Sequence, residues 1–124
     1  MQIKESAENY LEAILAIKRE CGAVRSIDVA NRLGVSKPSV SVAMKSFREE
    51  GYILVDAGGE IALTEKGMEI AEKIFERHQI IAKALMALGV EEEIAFEDSC
   101  KIEHDISNQT FEKLKEYLIA ENIL

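Results

Sequence analysis

Apolar residues recur at helical spacing along most of this chain, and glycines stand where the rhythm stops. Tyr10, Leu11, Ile14, Leu15 and Ile17 alternate with polar positions and predict an amphipathic helix from about Ser6 to Arg19. Gly22 follows its last turn and can close it in a left-handed conformation. Ser26 is the expected N-cap of a short helix, Ile27 to Leu33, ended by Gly34. Ser36 caps the next helix, Lys37 to Glu50. Pro38 lies in its first turn, where a missing N–H costs nothing. Val40, Met44 and Phe47 form its buried stripe, and Gly51 stops it.

After Gly51 the period shortens. Tyr52-Ile53-Leu54-Val55 and Ile61-Ala62-Leu63 read as two short strands around Asp56-Ala57-Gly58-Gly59-Glu60, a hairpin whose glycines supply positive φ. Thr64 can cap a long helix running through Met68, Ile70, Ala71, Ile74, Ile81, Leu85 and Leu88 to Gly89. A further helix is expected from about Glu92 to His104. Ser107 caps a last one with an apolar face of Phe111, Leu114, Leu118 and Ile119. The predicted class is mainly α with one small β-hairpin.

Ile27–Leu33 and Lys37–Glu50, joined through Gly34, have helix-turn-helix dimensions, and a hairpin directly after the second helix is what a wing would be. Lys37, Ser39, Ser41, Val42 and Lys45 fall off the buried stripe and are free to approach DNA. Lysine and serine suit phosphates or base edges, and Val42 suits a thymine methyl. The net charge of −8 opposes this reading, since an acidic surface repels a polyanion. Its distribution does not. Between Val24 and Arg48 stand Arg25, Arg32, Lys37, Lys45 and Arg48 against Asp28 alone. Arg25, Lys37, Ser39, Ser41, Val42, Lys45 and Arg48 are therefore the candidate DNA-facing residues. The plainer reading is a helical hairpin with a solvated basic face.

From Glu91 to Asp105 the balance reverses, with Glu91, Glu92, Glu93, Glu97, Asp98, Glu103 and Asp105 against Lys101. Here Cys100, Glu103 and His104 stand at i, i+3 and i+4, placing thiol, carboxylate and imidazole on one helical face. That mixture suits a divalent first-row metal. His78 on the long helix can add an imidazole, and Asn9 and Glu12 on the first helix can add oxygens. Taken singly, these residues have duller roles: Cys100 as a small buried apolar residue, Glu103 and Glu12 as solvated carboxylates, His78 as a helix-face histidine. Cys21 has no partner cluster and is expected to serve packing. Glu91 to Glu93 suit the N-terminal end of the helix dipole.

With 124 residues, the chain is one domain's worth or a DNA-binding head with a short extension. No apolar run approaches the ~20 residues that span a bilayer. The N-terminal MQIKESAENY lacks the apolar stretch of a leader, so cytoplasmic residence is expected. Two cysteines far apart, with no CxxC pair, read as free thiols.

Ser6-Ala-Glu-Asn-Tyr-Leu-Glu-Ala-Ile, Val35-Ser-Lys-Pro-Ser-Val-Ser, Leu63-Thr-Glu-Lys-Gly, Arg77-His78 and Cys100-Lys-Ile-Glu103-His104 together resemble the diphtheria toxin repressor and manganese transport regulator family. The resemblance runs over essentially the whole chain and keeps motif order. It implies a winged-helix DNA-binding domain over residues 1–63, and a helical metal-binding and dimerisation domain over 64–124. It further implies a homodimer that binds a palindromic double-stranded operator when Fe2+ or Mn2+ is bound. Cys100, Glu103 and His104 match the iron-responsive ligand motif, whereas the manganese branch usually has a carboxylate at position 100. His78 matches a ligand of both branches and Glu12 one of the manganese branch. Asn9 stands where the family carries a methionine or aspartate ligand. Ala82 and Phe96 replace an ancillary-site glutamate and histidine, which implies that a second site is missing or altered. The end at Leu124 fits the short, manganese-type form.

Two other readings stand beside this one. A regulator of the multiple-antibiotic-resistance type would keep the DNA-binding half and sense a small organic ligand, or nothing. A small zinc hydrolase would use His and Cys ligands with a glutamate base, but the chain has no HExxH and little room for a substrate cleft. Neither an enzymatic role nor a small-molecule substrate is expected.

Overall fold

The computed structural model describes residues 5–123; the first four residues of the segment inspected for a leader lie outside them. Six helices and a two-stranded hairpin follow in the expected order: α1 (Glu5–Cys21), α2 (Ser26–Leu33), α3 (Lys37–Glu49), β1 (Ile53–Val55), β2 (Ile61–Leu63), α4 (Glu65–Ala87), α5 (Glu92–Ile102) and α6 (Asn108–Ala120). By compactness the chain divides into two units, residues 1–73 and 74–124, with the dividing point inside α4.

In the first unit, α1 packs on α2, α2 on α3, and the hairpin on both α3 and α1. Leu11, Ile14 and Leu15 of α1, Val29 of α2, Val40 of α3 and the strand residues Ile53 and Ile61 are buried, as the 3.6- and 2-residue periods require. Tyr10 and Tyr52 meet the Phe47 ring edge-on, at 5.8 and 6.4 Å. Ser36 caps α3 as expected, its Oγ accepting the Ser39 N–H at 3.2 Å. Ser26 does not cap α2. It is the first helical residue, and Arg25 is the N-cap, its N–H donating to Asp28 Oδ2 at 2.9 Å.

The hairpin pairs Ile53 with Leu63 and Val55 with Ile61. Its loop is held by Asp56, whose Oδ1 accepts the N–H groups of Gly58 and Glu60 at 2.9 Å each, while Gly59 supplies the positive φ of 85°. Thr64 caps α4 and ties it to the hairpin: its hydroxyl accepts from the Gly67 N–H at 3.2 Å and donates to the Gly51 carbonyl at 2.6 Å. Gly67 is required by close approach, because a Cβ there would lie 2.1 Å from the Tyr52 carbonyl oxygen.

In the second unit, Ile80, Phe111 and Leu118 form a core with Ala84, Ile106 and Leu114 around it. Ser107 caps α6 by accepting the Thr110 N–H at 3.1 Å. Two apolar expectations fail: Leu88 and Ile119 are exposed, lying off the buried stripes of α4 and α6. Helix α5 also stops earlier than expected, at Ile102, with Glu103 as its C-cap and His104 in the turn beyond.

Candidate metal centre and DNA-facing helix

The exposed face of α3, the candidate DNA-facing surface, follows from helix phase. Val40, Met44 and Phe47 anchor α3 in the core, so Lys37, Ser39, Ser41, Val42 and Lys45 are left in solvent, together with Arg25 and Arg48. Val42 is 71% exposed, a free-standing β-branched side chain on an otherwise polar face. The cations near this face differ in their partners. Arg32 of α2 is paired with Glu20 at 2.8 Å, whereas among the described residues Arg25, Lys37, Lys45 and Arg48 form no ion pair. Those four keep their charge for a polyanion. Ser26, Ile27, Lys37, Val40 and Ser41 line a shallow groove between α2 and α3.

The candidate metal centre lies where α4 and α5 meet through a few specific side chains. Ala95 and Ser99, four residues apart on α5, are fully buried, as is Ala82 of α4. The Ser99 hydroxyl donates to the His78 carbonyl oxygen at 2.6 Å. That bond sets Cys100 and Glu103 beside the His78 ring. His78 Nδ1 lies 3.0 Å from Glu103 Oε2 and 3.7 Å from Cys100 Sγ, and one donor atom from each of the three residues lies within 4.8 Å of the others. Phe96 closes one side of the imidazole, with ring centroids 5.3 Å apart.

The duller roles do not describe these residues. Cys100 is exposed rather than a buried filler, and Glu103 is 0% exposed rather than solvated. Cys21 is exposed as well, so packing is not its role. Oε1 of Glu103 is buried without a hydrogen bond, its close neighbour being the His104 imidazole, Nε2 at 3.3 Å. A buried carboxylate oxygen in that state is costly until a cation meets it. The other carboxylate oxygen, Oε2, faces His78 Nδ1. Cys100 first, and Glu103 second, raise the His78 pKa from 6.5 to about 10, against the opposing effect of burial. Thiol, imidazole and carboxylate at this spacing fit a divalent first-row ion, which would take the place of the proton.

His104, expected on the same helical face, lies just past the helix end with its side chain almost fully buried against Glu103. Asn9 and Glu12 lie three residues apart on α1 in the first unit, both half-buried. The sequence reading gave no role to Ser99 or Arg77. A serine hydroxyl aimed at a neighbouring helix has no signature in the chain, although Arg77 directly precedes His78.

Residues 2–57 match the family described as iron dependent repressor, N-terminal DNA binding domain. Residues 64–119 match the iron dependent repressor, metal binding and dimerisation domain. The chain is 37% identical over 112 residues to the transcriptional regulator MntR of Escherichia coli O6:H1, covering 90% of this chain and 72% of that protein. It is 35% identical to an uncharacterised HTH-type transcriptional regulator of Methanocaldococcus jannaschii, covering 94% of each. Among solved structures, the manganese regulator SloR superposes with a TM-score of 0.78 at 27% identity, over 95% of this chain and 54% of that one. IdeR of T. acidophilum, at 21% identity and a TM-score of 0.82, shares the fold. The chain thus spans about half the length of these solved regulators. With both family models matched in order and MntR similar over most of its length, the chain belongs to the iron-dependent repressor family of metal-responsive, DNA-binding transcriptional regulators.

Proposed function

We propose that this chain is a homodimeric repressor of metal-homeostasis genes that takes hold of a palindromic operator when Fe2+ or Mn2+ binds. The observation that carries the reading is the convergence of His78, Cys100 and the buried Glu103 in a protein that also presents an unpaired basic reader helix. The ion would supply positive charge that joins a thiolate, an imidazole and a carboxylate which otherwise repel or need protons. We include His104, Glu12 and Asn9 in the ligand set on the family resemblance; the amide of Asn9 is the weakest donor of the six. The residue ranges 1–63 and 64–124 are the corresponding functional domains. With Ala82 and Phe96 in the ancillary positions, a single centre per subunit is the simplest expectation.

On the DNA side, Lys37, Ser39, Ser41 and Val42 face base edges or nearby phosphates, and Arg25, Lys45 and Arg48 neutralise phosphate. A dimer would set two reader helices roughly 34 Å apart, one turn of duplex. A ligand shifts such an arrangement only by its differential affinity for the two states, so operator affinity and metal affinity must rise together. Among the described residues no helix is long and apolar enough to cross a membrane, which accords with a cytoplasmic regulator.

The test is a gel shift of labelled genomic fragments with purified, metal-free protein, titrated with Fe2+ under anaerobic conditions, Mn2+ and Zn2+. A shift that appears with metal and vanishes with chelator is expected. A shift indifferent to both would leave a DNA-binding protein without a metal signal and overturn the reading.

A further inference from the structure

Arg77 is only 7% exposed, and its hydrogen bonds reach neutral oxygens on three successive parts of the chain. Nη1 donates to the Glu103 carbonyl oxygen at 3.0 Å and to the Ile106 carbonyl oxygen at 3.2 Å. Nη2 donates to Asn108 Oδ1, on the first residue of α6. The guanidinium carbon lies 5.2 Å from the Phe111 ring centre.

Helix α5 ends at Ile102, so the carbonyls that follow have no partner within the helix. A planar cation at that end satisfies the Glu103 carbonyl and meets the negative end of the helix dipole, while its bond to the Ile106 carbonyl holds the turn that leads into α6. The residue being held is Glu103, whose carboxylate faces His78. Arg77 and His78 are consecutive on α4. One turn of α4 therefore presents a donor to the centre and grips the backbone that carries the facing donor.

We propose that Arg77 is the positioning residue of the metal centre, fixing the turn from Glu103 to Asn108 so that Glu103 and Cys100 meet His78 at bonding distance. The inference rests on the metal-binding reading above. It is a role for the rigid fork of arginine, because a lysine supplies the charge but not two parallel donors.

Co2+ is the probe, since its thiolate charge-transfer and ligand-field bands report both the Cys100–metal bond and the geometry around the ion. Arg77→Met is expected to keep the far-UV circular dichroism and the oligomeric state. It should bind Co2+ about 10- to 100-fold more weakly than the parent, the usual scale for removing an outer partner of a ligand, and its thiolate band should weaken or move. Arg77→Lys should recover part of the affinity without restoring the parent spectrum. An Arg77→Met protein that is folded and matches the parent in both affinity and spectrum would overturn the proposal. If Arg77→Met fails to fold, Asn108→Ala decides, because it releases one anchor only: a weaker or altered Co2+ spectrum supports the clamp, and an unchanged one overturns it. A parent protein that shows no thiolate band removes the metal reading itself, an outcome distinct from a normal parent with an indifferent clamp.

Discussion

Along α3, Lys37, Ser39, Ser41, Val42 and Lys45 stand in solvent on a helix held by Val40, Met44 and Phe47, whereas at the end of α5 the carboxylate of Glu103 is fully buried between two imidazoles. The first arrangement tolerates error. A reader face needs only the right helix phase, and its long or small polar side chains adjust to whatever they meet. The second does not. Its donors come from α4 and from the end of α5, and their spacing depends on the Ser99–His78 bond and the point at which α5 stops. An exposed face can be built from one element, whereas this buried cluster of donors is built from two.

The largest effect is expected at the buried carboxylate. Glu103→Gln keeps the shape and removes the charge, and Mn2+ or Co2+ affinity should fall by at least about 100-fold, beyond the usual loss for an outer partner. Binding to nonspecific DNA, measured by fluorescence anisotropy at low salt, should stay unchanged. A loss of both would mean that the two regions are not separable.

Gly67→Ala tests whether the first unit is as local as its reader face suggests. Alanine usually stabilises a helix relative to glycine by about 1 kcal/mol. Here the added Cβ would strike the Tyr52 carbonyl at 2.1 Å, so the wing or α4 must move. A net destabilisation of about 1–3 kcal/mol is expected in urea unfolding. Stabilisation would show that the contact yields at little cost.

The raised pKa of His78 gives the second region a pH signature that the first lacks. Metal requires the imidazole without its competing proton, and in the metal-free protein that proton persists up to about pH 10. Metal affinity should therefore climb about tenfold per pH unit for this one proton, and keep climbing above pH 7 instead of levelling near 6.5. Calorimetry in buffers of different ionisation enthalpy should register the proton released. Metal-free stability should run the other way. A folded pKa above the unfolded one contributes stability that is fully present below about 6.5 and is lost as pH rises through about 10. A flat metal affinity between pH 7 and 9 would show that Cys100 and Glu103 do not hold the His78 proton above its ordinary range.

Smaller effects are expected on the exposed face. Replacing Lys45 or Arg48 with alanine should weaken operator and nonspecific binding alike, and should lower the slope of log affinity against log salt by about 0.9 for each phosphate no longer neutralised. Val42→Ala removes two methyl groups, each contributing about 0.8 kcal/mol if buried, so affinity should fall between a few-fold and about 15-fold, and only on operators carrying a thymine at the contacted step. Substituting uracil for that thymine should produce the same loss in the parent and none in the variant. An operator loss in Val42→Ala that ignores this substitution would make Val42 a packing residue.

Read alone, the chain determined what short-range periodicity can determine. The order of helices and hairpin, the Ser36, Thr64 and Ser107 caps, and the solvent face of α3 all follow from residues within a few positions of each other. It also marked Cys100, Glu103 and His78 as donor residues, because their chemistry is unusual whatever their surroundings. It missed Arg25 as the cap of α2, carried α5 through His104, and counted Leu88 and Ile119 as apolar face. Tertiary structure alone decided that Glu103 is buried, that Gly67 must be glycine, and that Arg77 and Ser99 serve the turn and helix beside the donors. The physical reason is range. Helix phase is set by bonds four residues long, but desolvation and donor spacing are set by segments brought together from more than twenty residues away, such as His78 and Glu103.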